Sequence, residues 1–280
     1  MQPLVTVICV CYNQAQYVCE ALDSVANQTY SNLELIVIDD GSTDGSGKVI
    51  KNWMVNHPDA TLILNGRNLG YCKTFNKAYR LSKGEMLIDL SADDVLMPLR
   101  VEEGVKLFAN AGEETGVLFS DAQYIDEQGN PLRLHSEKFL HSTIPQGDLY
   151  MDLIQRYFIC SPTMMFRRSV MDALQGYDES LAFEDFDFWI RASRSFKFIY
   201  SPEVMVKKRV VSTSMSRKQF ERSSPQRWST LEVCRKIKNL NKTSDEDKAL
   251  KRRLIYEIGI SLRSLDLALA YSFWKLLRSI

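Results

Sequence analysis

None of the six cysteines in this 280-residue chain (Cys9, Cys11, Cys19, Cys72, Cys160, Cys234) belongs to a CxxC pair. Zinc sites usually announce themselves by paired spacing, so the absence argues against one and leaves buried, reduced thiols. No GxGxxG follows the first apolar run, which removes a dinucleotide-binding dehydrogenase. No apolar stretch reaches the ~20 uncharged residues of a membrane span. The N-terminus enters LVTVICVCYN without a basic flank or cleavage site, so no secretory signal is expected and the chain reads as cytoplasmic. Repeats and low-complexity segments are missing as well. Net charge is the last absence: 35 Lys and Arg balance 35 Asp and Glu. No nucleic-acid partner is expected.

The balance hides an uneven distribution. Residues 201–280 carry 18 Lys and Arg against 8 Asp and Glu, leaving 17 against 27 for the rest. A basic tail on an acidic body suggests an anionic partner for the tail, such as a membrane surface or a phosphate-bearing substrate. The length suits one α/β domain of roughly 200 to 250 residues plus an appendage. VTVICV, LELIVID, TLILN and GEMLIDL are apolar runs of strand length separated by segments of helical spacing, the rhythm of a doubly wound α/β fold. Their lack of polar alternation implies burial on both faces. After residue 98 the pattern becomes mixed, with TGVLFS as a fifth strand and a hairpin around Gln128-Gly129-Asn130.

Ligands of open α/β sheets bind beyond the carboxyl ends of the strands. Here each end is polar: Tyr12 and Asn13, Asp39 and Asp40, Arg67 and Asn68, Asp93 and Asp94, then Asp121 after the fifth strand. Any one of these could be a helix cap or a turn; five on one rim make a site. The adjacent acids of LIDLSADDVLMPLR offer hard oxygen ligands of the kind magnesium and manganese favour, to be completed by substrate phosphates. In GYDESLAFEDFDFWIRAS, Glu184 and Asp185 begin a helix whose Phe188, Trp189 and Ala192 turn inward and whose Asp187 and Arg191 can pair. The helix dipole should keep a first-turn carboxylate ionised and available as a general base.

Three segments together, VTVICVCYNQAQYVCEALDSVANQTYSNLELIVIDDGSTDGS, RNLGYCKTFNKAYRLSKGEMLIDLSADDVLMP and GYDESLAFEDFDFWIR, resemble the family 2 glycosyltransferases. The resemblance runs over roughly residues 4–216 in order and spacing. It implies the glycosyltransferase A fold, a Rossmann-like mixed open sheet flanked by helices, as a catalytic domain over residues 1–216, here with a basic helical extension over 217–280. It assigns Asp40, Val10, Tyr12 and Arg67 to the nucleotide, Asp93 to the donor sugar or ribose, Asp94 to a divalent metal (Mn2+ or Mg2+) and Asp185 to the general base. The implied reaction moves one sugar from a nucleotide diphosphate sugar, a UDP-sugar by family association, to a hydroxyl of a glycan or lipid-linked acceptor, inverting the anomeric centre. Bacterial surface polysaccharide assembly is the implied setting. Acceptor recognition is expected in residues 123–168, with ICSPTMMFRR lining the cleft opposite the donor.

The sequence departs from the family pattern twice. Ser91 stands where many members carry a further acid, and Val211 where many carry a histidine that meets the metal or diphosphate; Lys207, Lys208 or Arg209 could substitute. These departures leave one alternative, a module that binds nucleotide sugar or glycan without turnover. The QxxRW signature of processive members is not satisfied, because SPQRW puts serine at 224. An aspartyl-phosphate phosphatase is disfavoured because Asp39 and Asp40 are adjacent and so face opposite sides of an extended chain. In the tail, Ile255, Ile258, Leu262, Leu265, Leu269, Phe273, Leu276, Leu277 and Ile280 form an amphipathic stripe. Packing on another tail helix, a homodimer contact, or peripheral docking on the inner face of the cytoplasmic membrane through Lys251, Arg252, Arg253, Arg263, Lys275 and Arg278 would each use it.

Overall fold

Residues 2–139, 143–211 and 224–280 are described by the computed structural model. The apolar runs form strands β1 (Val5–Cys11), β2 (Leu33–Asp39), β3 (Thr61–Leu64) and β4 (Met86–Ser91), which pair in parallel in the order β3-β2-β1-β4. Helices α1 (Val18–Ala26), α2 (Ser46–Met54) and α3 (Tyr71–Tyr79) connect them. Alternate residues of each strand face opposite ways. Val7 and Cys9 therefore join the layer of Val18, Leu22 and Ile50, while Ile8 and Val10 join that of Phe75 and Ala78. Burying each such side chain contributes about 1.5–3 kcal/mol.

The mixed half follows the sheet outward. A two-residue strand β5 (Val95–Leu96) precedes α4 (Arg100–Ala109), then come β6 (Thr115–Ile125), β7 (Pro131–Leu134), α5 (Tyr150–Gln155), β8 (Met165–Arg167), α6 (Arg168–Leu174), α7 (Asp185–Ala192) and β9 (Lys197–Arg209). β8 is antiparallel to both β4 and β6, so β6 runs the same way as β4, and β9 is parallel to β6. The expected hairpin forms between β6 and β7. As a result β1, β2, β3, β4, β6 and β9 all present their C-terminal ends at one edge.

Asp121 is a correction to the expected rim. The fifth strand does not stop there but continues to Ile125, and Asp121 lies inside it, buried, accepting the Ser136 N–H and hydroxyl and the Ala122 N–H. The tail corrects the single stripe. Helices α8 (Pro225–Leu240), α9 (Ser244–Arg263) and α10 (Leu267–Leu277) are separate, the last two divided at Leu265, whose φ is 55°. Leu254, Leu269, Phe273 and Leu276 pack into the same core as Phe186 and Trp189, whereas Ile255, Leu262 and Leu265 face outward. Arg253 is buried against Glu257 and Tyr157, so it is withdrawn from the expected membrane-facing cations. The boundary expected at residues 216–217 lies outside the described residues. All six cysteines are free, and five are buried.

Candidate active site

The loops after β1 and β2 are knitted by short polar side chains. Asn13, at φ 54°, donates its N–H to Ser42 Oγ and accepts the Thr43 N–H, while Asp44 takes the Ala15 N–H and caps Ser46. Gly41 is at φ +71°, and a Cβ there would sit 2.4 Å from the Arg67 carbonyl carbon. A glycine at 41 is thus what lets the loop after β2 touch the loop after β3. Asp40, 2 % exposed, locks the same junction by accepting from Asn65 Nδ2 (2.8 Å), Leu69 N–H (2.9 Å) and Gly70 N–H (3.1 Å). Arg67 is exposed beside it, Tyr12 stands exposed at the end of β1, and Val10 is buried in the core. Asp39 accepts from Ser42 N–H through one oxygen, and its other, buried oxygen has no partner among the described residues.

Asp93 and Asp94 follow β4 on the same edge. Asp94 is 3 % exposed and accepts the Arg209 N–H at 2.9 Å, while the Asp93 carbonyl accepts Arg209 Nε. Burial, then the adjacent Asp93, pushes the Asp94 carboxyl up to about 8; burial also raises Asp93. Like charges this close disfavour joint ionisation. Such a pair fits Mg2+ or Mn2+ if phosphate oxygens and water supply the remaining ligands. Among the described residues no group of three or more His, Cys, Asp or Glu could hold a metal by itself. Val211, at the position where the resemblance led to a histidine being expected, is 7 % exposed and apolar.

The start of α7 brings Glu184 and Asp185 to this region, and the expected Asp187–Arg191 pair forms at 2.7 Å. The helix dipole does not dominate here as expected. Burial raises the Asp185 carboxyl, and burial with Asp185 and Asp89 raises Glu184 further. Partial desolvation outweighs a terminus whose partial charge is about half an elementary charge. A raised carboxyl is the better proton acceptor once ionised. Ser161, from the ICSPTMMFRR segment, lies close enough to Asp185 to ease its ionisation, and Cys160 lies near Asp94, so that segment does reach the acids.

Sequence reasoning missed Asp89. It is buried in β4, receives hydrogen bonds from Tyr71 (2.6 Å) and Tyr177 (2.9 Å), and is pushed up to about 7 by burial. An acid inside an otherwise apolar strand was the available signal. A cleft of about 250 Å3, lined by residues including Asn13, Tyr17, Asp44, Glu127 and Val211, runs beside these acids and includes neither Asp93, Asp94 nor Asp185.

Comparison with known proteins bears on what this arrangement belongs to. The family model described as glycosyl transferase family 2 matches residues 6–175. An uncharacterized glycosyltransferase of Methanocaldococcus jannaschii is 31% identical over 214 residues, covering 75% of this chain and 71% of the relative. One from Rickettsia prowazekii is 29% identical over 216 residues, 74% of this chain and 64% of the relative. Among solved structures, S. aureus TarS superposes with a TM-score of 0.68 at 20% identity, over 90% of this chain and 43% of TarS. The mannosyltransferase PcManGT of Pyrobaculum calidifontis, in complex with GDP-Man and Mn2+, gives 0.65 at 19% identity over 100% of this chain and 75% of its own. At these identities the structures speak for the fold, which is of the glycosyltransferase A type with helices appended. By sequence, the chain belongs to glycosyl transferase family 2.

Proposed function

We propose that this chain is an inverting transferase that moves one sugar from a nucleoside diphosphate sugar, taken here as a UDP-sugar, to an acceptor hydroxyl in glycoconjugate or surface polysaccharide assembly. The observation that carries the reading is the meeting, at one sheet edge, of the Asp93-Asp94 pair with the raised carboxyl of Asp185. TarS structures with UDP and with UDP-GlcNAc, and PcManGT with GDP-Man, support a nucleotide sugar as the donor class. Asp185 would take the acceptor proton as the acceptor oxygen attacks the anomeric carbon from the side opposite the leaving diphosphate, which inverts the centre. Asp93 and Asp94 are the residues that would hold Mn2+ or Mg2+, which when bound would offset charge on the diphosphate. Tyr12, Asp40 and Arg67 would border the nucleotide, with Asp40 also holding the Leu69–Gly70 turn in shape.

The experiment is hydrolysis or transfer with a panel of nucleotide sugars and candidate acceptors, in Mn2+ or Mg2+, against Asp185→Asn. Turnover by the wild type and its loss in the variant supports the transferase. Donor binding without turnover would favour the non-catalytic module that Ser91 and Val211 suggest.

For the tail, contact with the face of an anionic membrane is proposed on revised residues. Ile255, Tyr256, Leu262, Leu267, Tyr271 and Trp274 are exposed, and Arg252, Arg263, Lys275 and Arg278 are exposed on the same two helices. Aromatic and aliphatic side chains ringed by cations suit a lipid headgroup boundary. Among the described residues no helix is long and apolar enough to cross a membrane. A homodimer through the same face is the competing use.

A further inference from the structure

The last two cations of β9 have different fates. Tyr124 lies beside Lys208 and Ile125 beside Arg209 in the parallel β6–β9 ladder, so both cations reach the edge where Asp93 and Asp94 follow β4. Successive strand residues point to opposite faces. Arg209 turns toward α1, lies 4.7 Å over the Tyr17 ring, pairs with Glu20, and gives its other donors to the carbonyls of Asp93, Asp126 and Glu127. Its hydrogen-bonding capacity is largely used by the protein. Lys208 turns the other way, among Cys160, Asp94, Tyr124 and Asp185.

Lys208 is half-buried, and among the described residues its ammonium makes no hydrogen bond or ion pair. It nonetheless acts on carboxylates from two elements, Asp93 and Asp94 after β4 and Glu184 and Asp185 at the start of α7, easing the ionisation of each. Burial alone would lower the ammonium, but the groups around it hold it above its ordinary value, so it stays charged at neutral pH. A cation partly withdrawn from water and paired with no single carboxylate has unused donors. Three N–H groups lying near both acid pairs offer what phosphate oxygens accept.

We infer that Lys208 binds the diphosphate of the donor and stabilises the departing nucleoside diphosphate. This rests on the donor reading given above. In the step it assists, the acceptor oxygen bonds to the anomeric carbon and the bond from that carbon to the β-phosphate oxygen breaks. The electron pair leaves on that oxygen, the acceptor proton goes to Asp185, and Lys208 keeps its proton while donating a hydrogen bond to the leaving phosphate.

The test titrates UDP and GDP, with uridine and guanosine as controls, into wild type, Lys208→Met, Lys208→Gln and Lys208→Arg by calorimetry, and measures turnover of the corresponding sugar donors. Charge-assisted hydrogen bonds contribute enough that both neutral variants should bind the diphosphate about 10- to 100-fold more weakly. Nucleoside binding should be unchanged, Lys208→Arg should recover most of the affinity, and kcat/KM should fall in step with the lost binding. Should Lys208→Met not fold, Lys208→Gln, which is one atom shorter, polar and uncharged, carries the comparison. A wild type that binds and turns over a donor, with neutral variants that bind UDP and GDP equally well, overturns the inference and leaves the transferase reading intact. A wild type that binds neither diphosphate overturns that reading first and this inference with it.

Discussion

Asp89 holds its carboxyl between two phenols, Tyr71 and Tyr177, and burial pushes it up to about 7. In the unfolded chain the same group would titrate near about 4. The fold therefore binds a proton that the unfolded chain releases, so this contribution to stability is fully present below about pH 4 and is lost as the pH rises through about 7. Thermal unfolding of the wild type against Asp89→Asn checks the sign. The wild type should lose melting temperature between about pH 5 and pH 8 relative to the variant, whose amide carries no charge at either end. For Asp185, the base of the proposed reaction, the same physics works the other way, since a base must be ionised to work. Transfer activity should climb toward neutral pH, and Asp185→Asn should lower kcat by about 10²- to 10⁴-fold while nucleotide binding persists. Loss of binding in that variant would instead assign Asp185 to the donor.

At the scale of elements, α8, α9 and the α7 region are clamped by charges buried together. Glu257 accepts from Arg253 Nε at 2.8 Å and lies 3.8 Å from Arg227, which also donates to Ser261 and Ser264. Arg253 in turn reaches Tyr157, whose ring stands edge-on to Phe186. The Arg-Trp remnant of a processivity signature is thus half structural, with Arg227 buried in this clamp and Trp228 partly exposed. Glu257→Ala leaves two buried guanidinium groups uncompensated and should cost about 3–5 kcal/mol, read from urea unfolding. Strand and helix identities were legible in advance because periodicity reports local geometry directly. The length of β6 was not, since Asp121 reads as a terminus until Ser136 is seen to satisfy it.

For the whole molecule, the proposal that the tail meets anionic lipid makes a measurable claim. Tyr271 and Trp274 stack at 5.7 Å on the outer face of α10. Replacing both with serine should abolish co-sedimentation with vesicles rich in anionic lipid without changing the melting temperature. If the doubly substituted protein still sediments but a wild-type dimer dissociates, the face belongs to a second copy. Replacing Lys251, Arg252 and Arg253 is a poorer probe because Arg253 is buried and its replacement would disturb the clamp.

The division between what was legible and what was not follows from range. Runs such as LELIVID determine strands by their own side chains, so the α/β class could be read from the sequence alone, and the acids Asp40, Asp93, Asp94 and Asp185 stood out there as candidates at the strand and helix ends. Sidedness and partnership needed the assembled sheet. Only there does β8, antiparallel to both neighbours, bring β6 and β9 back to the rim; only there does Asp40 turn inward to hold a loop, Arg253 withdraw into a clamp and Lys208 come near four carboxylates without pairing to any of them among the described residues. Each of these depends on residues far apart in the chain, where desolvation and charge act through space.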